Sequence, residues 1–311
     1  MRRSWLALAL VVAVIAVAVV IQVTSRSKTP PTTEEQKGTP VVPKEPTPEP
    51  APKKTPEPPP PPEAKKAPEE AKKPEPVTDP ATVLKEADTQ IAANKQVEAR
   101  KLLSDAFLLN PASEKAGEFK TRLAKLNEEL LFSPRPSPLS IIYEVVPGDT
   151  LGRIAAKHKT TTELIQRING LKSDTIRPGQ KLKVISGGFD VEVVKSKFLL
   201  TVTKDGVWVR EFKVGLGKDG STPVGEFVAG HKLERPTYFG DGARIPFGDK
   251  KNNPLGTRWI TIQGEYGIHG TWEPESMGKE MSKGCVRMLN EDVEWLYDLI
   301  VPGVSKVAIK P

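Results

Sequence analysis

The chain has 311 residues, 31 of them proline, and a formal net charge of +7. Of these prolines, 18 fall between Pro30 and Pro80, a stretch without Phe, Trp, Tyr, Leu or Ile. Such a stretch buries too little apolar surface to offset the entropy of ordering its backbone, which excludes a folded domain there. The basic residues form no long stripe and are not interleaved with aromatic residues. This pattern argues against nucleic acid as a partner.

The amino terminus predicts an exported chain. Arg2 and Arg3 precede an apolar run from Trp5 to Val23, which is about as long as a bilayer core requires. The positive charges stay inside, so the rest of the chain faces out. A cleaved signal peptide is the alternative, because the run contains an A-x-A pattern. We favour a membrane anchor over residues 1–27, followed by a disordered Pro/Lys/Glu-rich linker over 28–80.

Residues 81–132 have apolar side chains at helical spacing and predict a helical hairpin plus one further helix. Asn110 and Pro111 predict the cap and first turn of the third helix, which runs through about Leu131. The small-residue spacing leaves open a single tetratricopeptide-like hairpin. Because about three such repeats are normally needed for a stable array, we favour a plain packing or spacer bundle.

The next block, residues 141–185, predicts strand, helix, helix, strand. Alternating apolar residues give the first strand, and Thr150 follows a Pro-Gly-Asp turn as the cap of a helix. Asn169 and Gly170 end the second helix, and a Pro-Gly turn leads into the last strand. In this interpretation His158 lies on the polar, solvated side of the first helix.

This block resembles a LysM module over nearly all of its length. The residues that carry the resemblance are Tyr143, Glu144, Val145, Gly148, Asp149, Thr150, Leu151, Ile154, Ala155, Leu164, Asn169, Leu171, Ile176, Pro178, Gly179, Gln180 and Leu182. The resemblance implies a βααβ fold that grips N-acetylglucosamine polymers, usually peptidoglycan, in a groove between two loops. The implied sugar-binding residues are Gly148, Asp149, Thr150, Leu151, Ile176, Arg177 and Pro178. A turn and helix cap without sugar binding is the alternative.

The last block contains Cys285, which is the only cysteine of the chain and therefore cannot form an intramolecular disulfide. A lone thiol in an exported chain is either buried and inert or kept for its chemistry. Two of the three histidines, His231 and His269, share its block. A thiol nucleophile needs a base within hydrogen-bond reach and a group that fixes the tautomer of that base. Spacing alone does not choose between the two histidines.

The segments Ile268–Thr271 and Ser282–Met288 resemble the signature of the L,D-transpeptidase catalytic domain. The match extends upstream through Thr222–Phe227 and Asn253–Gly256, and covers essentially all of residues 189–311. Many members of the family carry His where this chain has Lys283. The resemblance implies a mostly-β, sandwich-like fold. Six strands are predicted, at 189–194, 198–203, 207–214, 225–232, 259–263 and 306–309.

The resemblance also implies the roles of individual residues. Cys285 is the nucleophile and His269 the base, and the Gly270 carbonyl orients the imidazole. The amides of Gly284 and Cys285 are the oxyanion donors. Arg287 borders the site and Ser282 supports the turn, although a surface ion pair and a plain cap are the respective alternatives. His231 matches no position of the signature and is interpreted as incidental.

The implied reaction forms 3-3 cross-links in peptidoglycan by acyl transfer from a tetrapeptide stem through a cysteine thioester. L,D-carboxypeptidase activity, attachment of a protein lysine and a non-catalytic wall-binding role remain alternatives. The single Cys and three scattered His predict no metal site, and no cofactor is expected. The expected partners are glycan strands, stem peptides and, through the N-terminal helix, the membrane.

The predicted fold class is a multidomain α+β protein. Its parts are the membrane anchor, the Pro-rich linker, the small helical region, the βααβ LysM module and the mostly-β catalytic domain. Only a short hinge, Ser186–Gly188, joins residues 141–185, called the LysM block below, to residues 189–311, called the catalytic block. We therefore expect the LysM module to act as a tether that raises the local concentration of stem peptides.

Overall fold

A computed structural model describes residues 79–240 and 242–311, which fall within one compact unit. The predicted anchor at 1–27 and nearly all of the predicted linker lie outside these residues. Among the described residues, no helix combines the length and apolarity needed to cross a membrane.

The helical region begins at the end of the predicted linker. Pro80 is its first helical residue, and the Asp79 carboxylate accepts the Thr82 amide at 2.8 Å as the N-cap. Its helices are α1 (Pro80–Ala92), α2 (Gln96–Leu109) and α3 (Ala116–Asn127), continued by a π-helical turn, Glu128–Phe132.

The predicted start of the third helix is wrong. The Asn110 amide donates to the Ala106 carbonyl, so Asn110 ends α2 and does not open α3. A turn over 110–115 separates the two helices, and Lys115 is the N-cap of α3.

The helical region packs on the catalytic block. Its buried side chains share a cluster with Trp208, whose ring meets Phe107 edge to face at 5.8 Å between centroids. Polar contacts cross the same interface, because Ser104 Oγ accepts the Trp208 amide at 2.8 Å. The region is therefore a packed part of the described fold.

The block at 141–185 has the order strand, helix, helix, strand. Its elements are β1 (Ile141–Glu144), α4 (Leu151–Lys157), α5 (Thr162–Asn169) and β2 (Lys181–Val184), with β1 and β2 antiparallel. Thr150 and Thr161 cap the two helices through their side chains, and Gly170 ends α5 with a φ of 62°.

His158 departs from its predicted solvated position. It is half-buried, and its ring packs edge to face on Tyr143 at 5.6 Å between centroids.

The catalytic block consists of thirteen strands and one α-helix within the described residues. The strands are β3 (Asp190–Val194), β4 (Leu199–Lys204), β5 (Val207–Lys213), β6 (Leu216–Gly217), β7 (Gly225–Val228), β8 (Lys232–Glu234), β9 (Tyr238–Gly240), β10 (Ala243–Ile245), β11 (Arg258–Gln263), β12 (Tyr266–His269), β13 (Glu280–Ser282), β14 (Val286–Arg287) and β15 (Lys306–Lys310). The helix is α6, Asn290–Leu299. Short 3-10 turns lie at Lys195–Lys197, Lys218–Gly220 and Pro274–Ser276.

Four sheets form this block in the described part of the chain: two strand pairs, β9-β10 and β6-β13, and two larger sheets that share one buried core. The first larger sheet has the order β5-β4-β3-β15-β7 and the second β14-β12-β11-β8. The single strand predicted at 225–232 is divided between them. The Ala229 amide bonds to the Ser305 carbonyl and the Gly230 amide to the Thr261 carbonyl, so the chain passes from one sheet to the other there.

The LysM block packs directly against the catalytic block. Leu164 and Ile168 of α5 belong to the core shared with both larger sheets. Arg167 donates to the Asp298 carboxylate on α6 at 2.8 Å, and the Thr161 hydroxyl donates to the Asp298 carbonyl. The expectation that a short hinge is the only attachment is therefore wrong.

Candidate active site

Cys285 immediately precedes β14, and His269 ends β12. The two strands pair in parallel, with Ile268 opposite Val286 and His269 opposite Arg287. Side chains alternate between the two faces of a sheet, so Cys285, two residues before Arg287, lies on the same face as His269, on a neighbouring strand roughly 4.8 Å away. The fold thus places the thiol and the imidazole on one face of neighbouring strands, although sixteen residues of sequence separate them.

The imidazole of His269 is held on two sides. Its Nδ1–H donates to the Gly270 carbonyl at 2.6 Å, and the ring stacks on Trp259 at 5.7 Å between centroids with 14° between the planes. With a proton on Nδ1, Nε2 is left as a proton acceptor. His269 is 3% exposed.

Burial sets the protonation state of both groups. It lowers the pKa of His269 to about 4, and the nearby Arg287 charge acts in the same direction. Burial also raises the pKa of the Cys285 thiol, although Arg287 and the Gly267 amide oppose that shift. At neutral pH the free site therefore holds a neutral thiol and a neutral imidazole.

The thiol sits above a tight turn. Gly284 has a φ of 129°, which favours glycine, and a Cβ built on it would overlap the ring of Tyr266. Ser282 Oγ accepts the Gly284 amide at 3.1 Å and donates to the Cys285 carbonyl at 2.7 Å. The Gly284 amide is therefore already bonded to Ser282, whereas the sequence predicted it as an oxyanion donor.

Arg287 lies beside the base and is held in place by its neighbours. Its Nη1 donates to the Glu273 carboxylate at 2.7 Å, and its backbone exchanges two hydrogen bonds with Gly215. Its buried Nε has no hydrogen-bond partner among the described residues.

A cleft of about 510 Å³ opens over Cys285. Aromatic side chains supply much of its lining, namely Tyr238, Phe239, Trp259 and Tyr266, and Lys283 and Glu265 contribute charged ones. His231 lines the same cleft, and its Nε2 lies 3.2 Å from Thr261 Oγ1. Its interpretation as incidental to the chemistry stays a prediction.

The predicted sugar-binding residues lie on two neighbouring loops of the LysM block. The Gly179 amide donates to the Val145 carbonyl at 2.8 Å and joins the loops at their base. Gly148, Thr150, Arg177 and Pro178 are exposed, whereas Asp149 and Ile176 are half-buried. Asp149 organises its own loop by accepting the Val146 amide and the Tyr143 hydroxyl.

Leu151 differs from the other predicted sugar-binding residues. It is 1% exposed and packs in the core of the LysM block, so its side chain cannot contact a sugar.

No group of three or more His, Cys, Asp or Glu side chains that could hold a metal ion occurs in residues 79–240 and 242–311.

Comparisons with known proteins identify both blocks. A model of the L,D-transpeptidase catalytic domain matches residues 188–309, and a LysM domain model matches residues 143–184. A protein of Bacillus licheniformis named L,D-transpeptidase YkuD is 31% identical over 182 residues, which are 55% of this chain and 99% of that protein. This chain belongs to the L,D-transpeptidase family.

Two further similarities concern this family. The Bacillus subtilis protein named L,D-transpeptidase YkuD is 33% identical over 178 residues, which are 54% of this chain and 98% of that protein. A solved L,D-transpeptidase from Mycobacterium smegmatis is 19% identical with a TM-score of 0.35, covering 43% of this chain and 64% of that chain. The chain is thus an L,D-transpeptidase with a LysM peptidoglycan-binding module.

Proposed function

We propose that this enzyme forms 3-3 cross-links in peptidoglycan, with Cys285 as nucleophile and His269 as general base. The observation that carries the proposal is the position of the thiol, which opens onto the cleft and shares a strand face with an imidazole whose Nδ1 is committed to Gly270. The free Nε2 is the atom that can take the thiol proton.

The first half-reaction uses a tetrapeptide stem as donor. Cys285 Sγ attacks the carbonyl carbon of the diamino-acid residue that precedes the terminal D-Ala, while its proton passes to His269 Nε2. The C–N bond to D-Ala then breaks, the imidazolium protonates the leaving amine, and a thioester remains on Cys285. Because the Gly284 amide is bonded to Ser282, we assign the Cys285 amide as the oxyanion donor.

The second half-reaction transfers the acyl group to an amine of another stem. The amine nitrogen of the second stem attacks the thioester carbonyl, and His269 accepts a proton from that amine. The C–S bond then breaks, and the imidazolium returns the proton to the Cys285 thiolate. The product is an amide cross-link. Water in place of the amine gives L,D-carboxypeptidase activity, and a protein lysine gives attachment of a protein to the wall.

The products distinguish these outcomes. Purified enzyme is incubated with disaccharide-tetrapeptide, and mass spectrometry identifies what forms. A cross-linked dimer with release of D-Ala supports the proposal, whereas tripeptide alone indicates hydrolysis. Neither product, together with no acyl adduct on Cys285, would refute the catalytic assignment and leave a wall-binding role.

For the LysM block we propose that the exposed loop residues, including Arg177, contact the glycan strand. Arg177→Glu should weaken pull-down on insoluble peptidoglycan because it reverses an exposed charge beside the groove. Lys172→Glu makes the same charge reversal at an exposed position outside the predicted set and serves as the control. Equal losses in both variants would point to a general charge effect and contradict the proposed groove.

We further propose that residues 1–27 anchor the chain in the membrane with the remainder outside the cytoplasm. The apolar run from Trp5 to Val23 supports this assignment. Amino-terminal sequencing of protein recovered from washed membranes tests it. An intact amino terminus in the membrane fraction is expected, and a terminus after Ala18 in the soluble fraction would establish a cleaved signal peptide.

A further inference from the structure

Asn290 is the first residue of α6, yet its side chain does not serve that helix. Leu289 is the N-cap and makes no side-chain capping bond. Because Asn290 follows the cap position, its carboxamide has no capping bond to make to α6 and can bond to groups outside the helix.

The carboxamide of Asn290 joins two backbone segments beside the base. Its Oδ1 accepts the Thr257 amide at 3.0 Å, and its Nδ2 donates to the Thr271 carbonyl at 2.8 Å. Thr271 follows Gly270, whose carbonyl accepts the imidazole proton of His269. One side chain thus fixes the peptide next to the acceptor of the base.

Gly256 and Gly270 both lie close to Asn290 Oδ1. A Cβ built on Gly270 or on Gly256 would overlap Asn290 Oδ1, and Gly256 also has a φ of 62°. The amide of Gly270 donates to the Arg258 carbonyl at 3.2 Å, so the residue is held on its other side as well. The backbone is therefore shaped around the carboxamide of Asn290, with no space for a larger side chain at either glycine.

We propose that Asn290 is a positioning residue that holds the Gly270 carbonyl against His269 Nδ1 and so keeps the imidazole in the tautomer with a free Nε2. The tautomer of a neutral imidazole is set by the bond that one ring nitrogen makes. Without the carboxamide, the Thr271 carbonyl loses its donor and the Gly270 peptide can rotate away from His269. This inference rests on the proposed role of His269 as base.

The test reads the tautomer directly. The chain has three histidines, so nitrogen-15 labelled histidine gives a spectrum in which a His269→Gln variant assigns the signal of interest. The wild-type enzyme should show a protonated Nδ1 and an unprotonated Nε2 on His269. In Asn290→Ala we expect a mixture of tautomers and a kcat lower by about 10- to 100-fold, the range caused by removing a histidine's outer hydrogen-bond partner at metal sites. KM should change by less than about threefold, because the cleft lining is untouched.

Two further variants serve as a conservative substitution and as a control. Asn290→Asp keeps an acceptor for the Thr257 amide but turns a carboxylate oxygen toward the Thr271 carbonyl, so the same tautomer change is expected in a side chain of equal size. Asn127→Ala is the matched control. Asn127 also bridges backbone groups, but it is the last residue of α3 and donates to the Trp208 and Val209 carbonyls of β5. It should lose stability with no change at His269.

Retention of a pure Nδ1-protonated tautomer in both Asn290 variants would overturn the inference, whatever their activity. Failure of the proposed function can be told apart from failure of this inference. If the wild-type enzyme is inactive but Asn290→Ala changes the tautomer of His269, the positioning role stands and only the catalytic assignment is removed. Loss of folding in Asn290→Ala leaves Asn290→Asp to decide, and a folded Asn290→Asp with wild-type tautomer and kcat also overturns it.

Discussion

Substitution of two isoleucines on α5 tests whether the LysM block is packed on the catalytic block or only tethered to it. Ile165 and Ile168 are 0% and 1% exposed, but Ile165 packs in the core of the LysM block, whereas Ile168 packs in the core shared with the catalytic sheets. Each change to alanine removes three carbon atoms from a fully buried side chain. Such changes cost about 2–5 kcal/mol, because lost burial and a residual cavity add together.

The Ile165→Ala and Ile168→Ala variants differ in which block loses this free energy of unfolding. With a urea slope of about 2 kcal/mol per molar, a loss of about 3 kcal/mol lowers an unfolding midpoint by about 1.5 M. Four of the five tryptophans lie in residues 189–311, and none lies in 141–185. Tryptophan fluorescence, excited at wavelengths that tyrosine does not absorb, therefore reports on the catalytic block and not on the LysM block.

We expect Ile168→Ala to lower the fluorescence midpoint by about 1–2 M and to make turnover of a small soluble tetrapeptide more sensitive to urea. Ile165→Ala should loosen the LysM block locally, weakening pull-down on peptidoglycan while shifting the fluorescence midpoint by less than about half as much. A wild-type fluorescence midpoint in Ile168→Ala would refute the shared core and restore the tether.

Three further outcomes follow from the site. Cys285→Ala should abolish acyl-adduct formation in mass spectrometry and leave peptidoglycan pull-down unchanged, since the substitution removes the nucleophile at little cost in volume. His269 has a folded-state pKa of about 4 against about 6.5 unfolded, so its contribution to the free energy of unfolding is complete above pH 6.5 and falls by about 3 kcal/mol as the pH drops to 4. Urea titrations of His269→Gln should lack that component, and an unchanged pH slope would contradict the assigned burial. His231→Ala should raise KM several-fold with little change in kcat, because His231 lines the cleft. A loss confined to kcat would be inconsistent with that position.

The LysM block could be predicted from the sequence because its elements are short and locally specified. Thr150, Thr161 and Gly170 each form a bond or adopt a backbone angle that starts or ends a helix. The same local reasoning failed at Asn110, which has the chemistry of a helix start but ends α2 through its backbone amide. Helix α6 has no counterpart among the predicted elements, although Val293, Leu296 and Tyr297 repeat at helical spacing, because the family resemblance implies a mostly-β block.

Longer-range features had no local signal. The separation between His269 and Cys285 says nothing about their distance until the parallel pairing of β12 and β14 is known. The contact of Arg167 with Asp298 joins residues that lie far apart in the chain, and only the folded structure brings them together. Motif resemblance supplied the roles of the thiol and the imidazole, while the hydrogen bond that occupies the Gly284 amide required coordinates.

Helix α6 connects these observations physically. Asn290 at its first turn holds the backbone beside the base, and Asp298 at its last turn receives Arg167 and Thr161 of the LysM block. At about 1.5 Å per residue, its ten residues place the two contacts within roughly 15 Å along one rigid element. A flexible tether would only raise the local concentration of stem peptides, and every orientation of the cleft would be sampled. A packed module instead holds the cleft at a fixed angle to the two loops that carry the predicted sugar-binding residues.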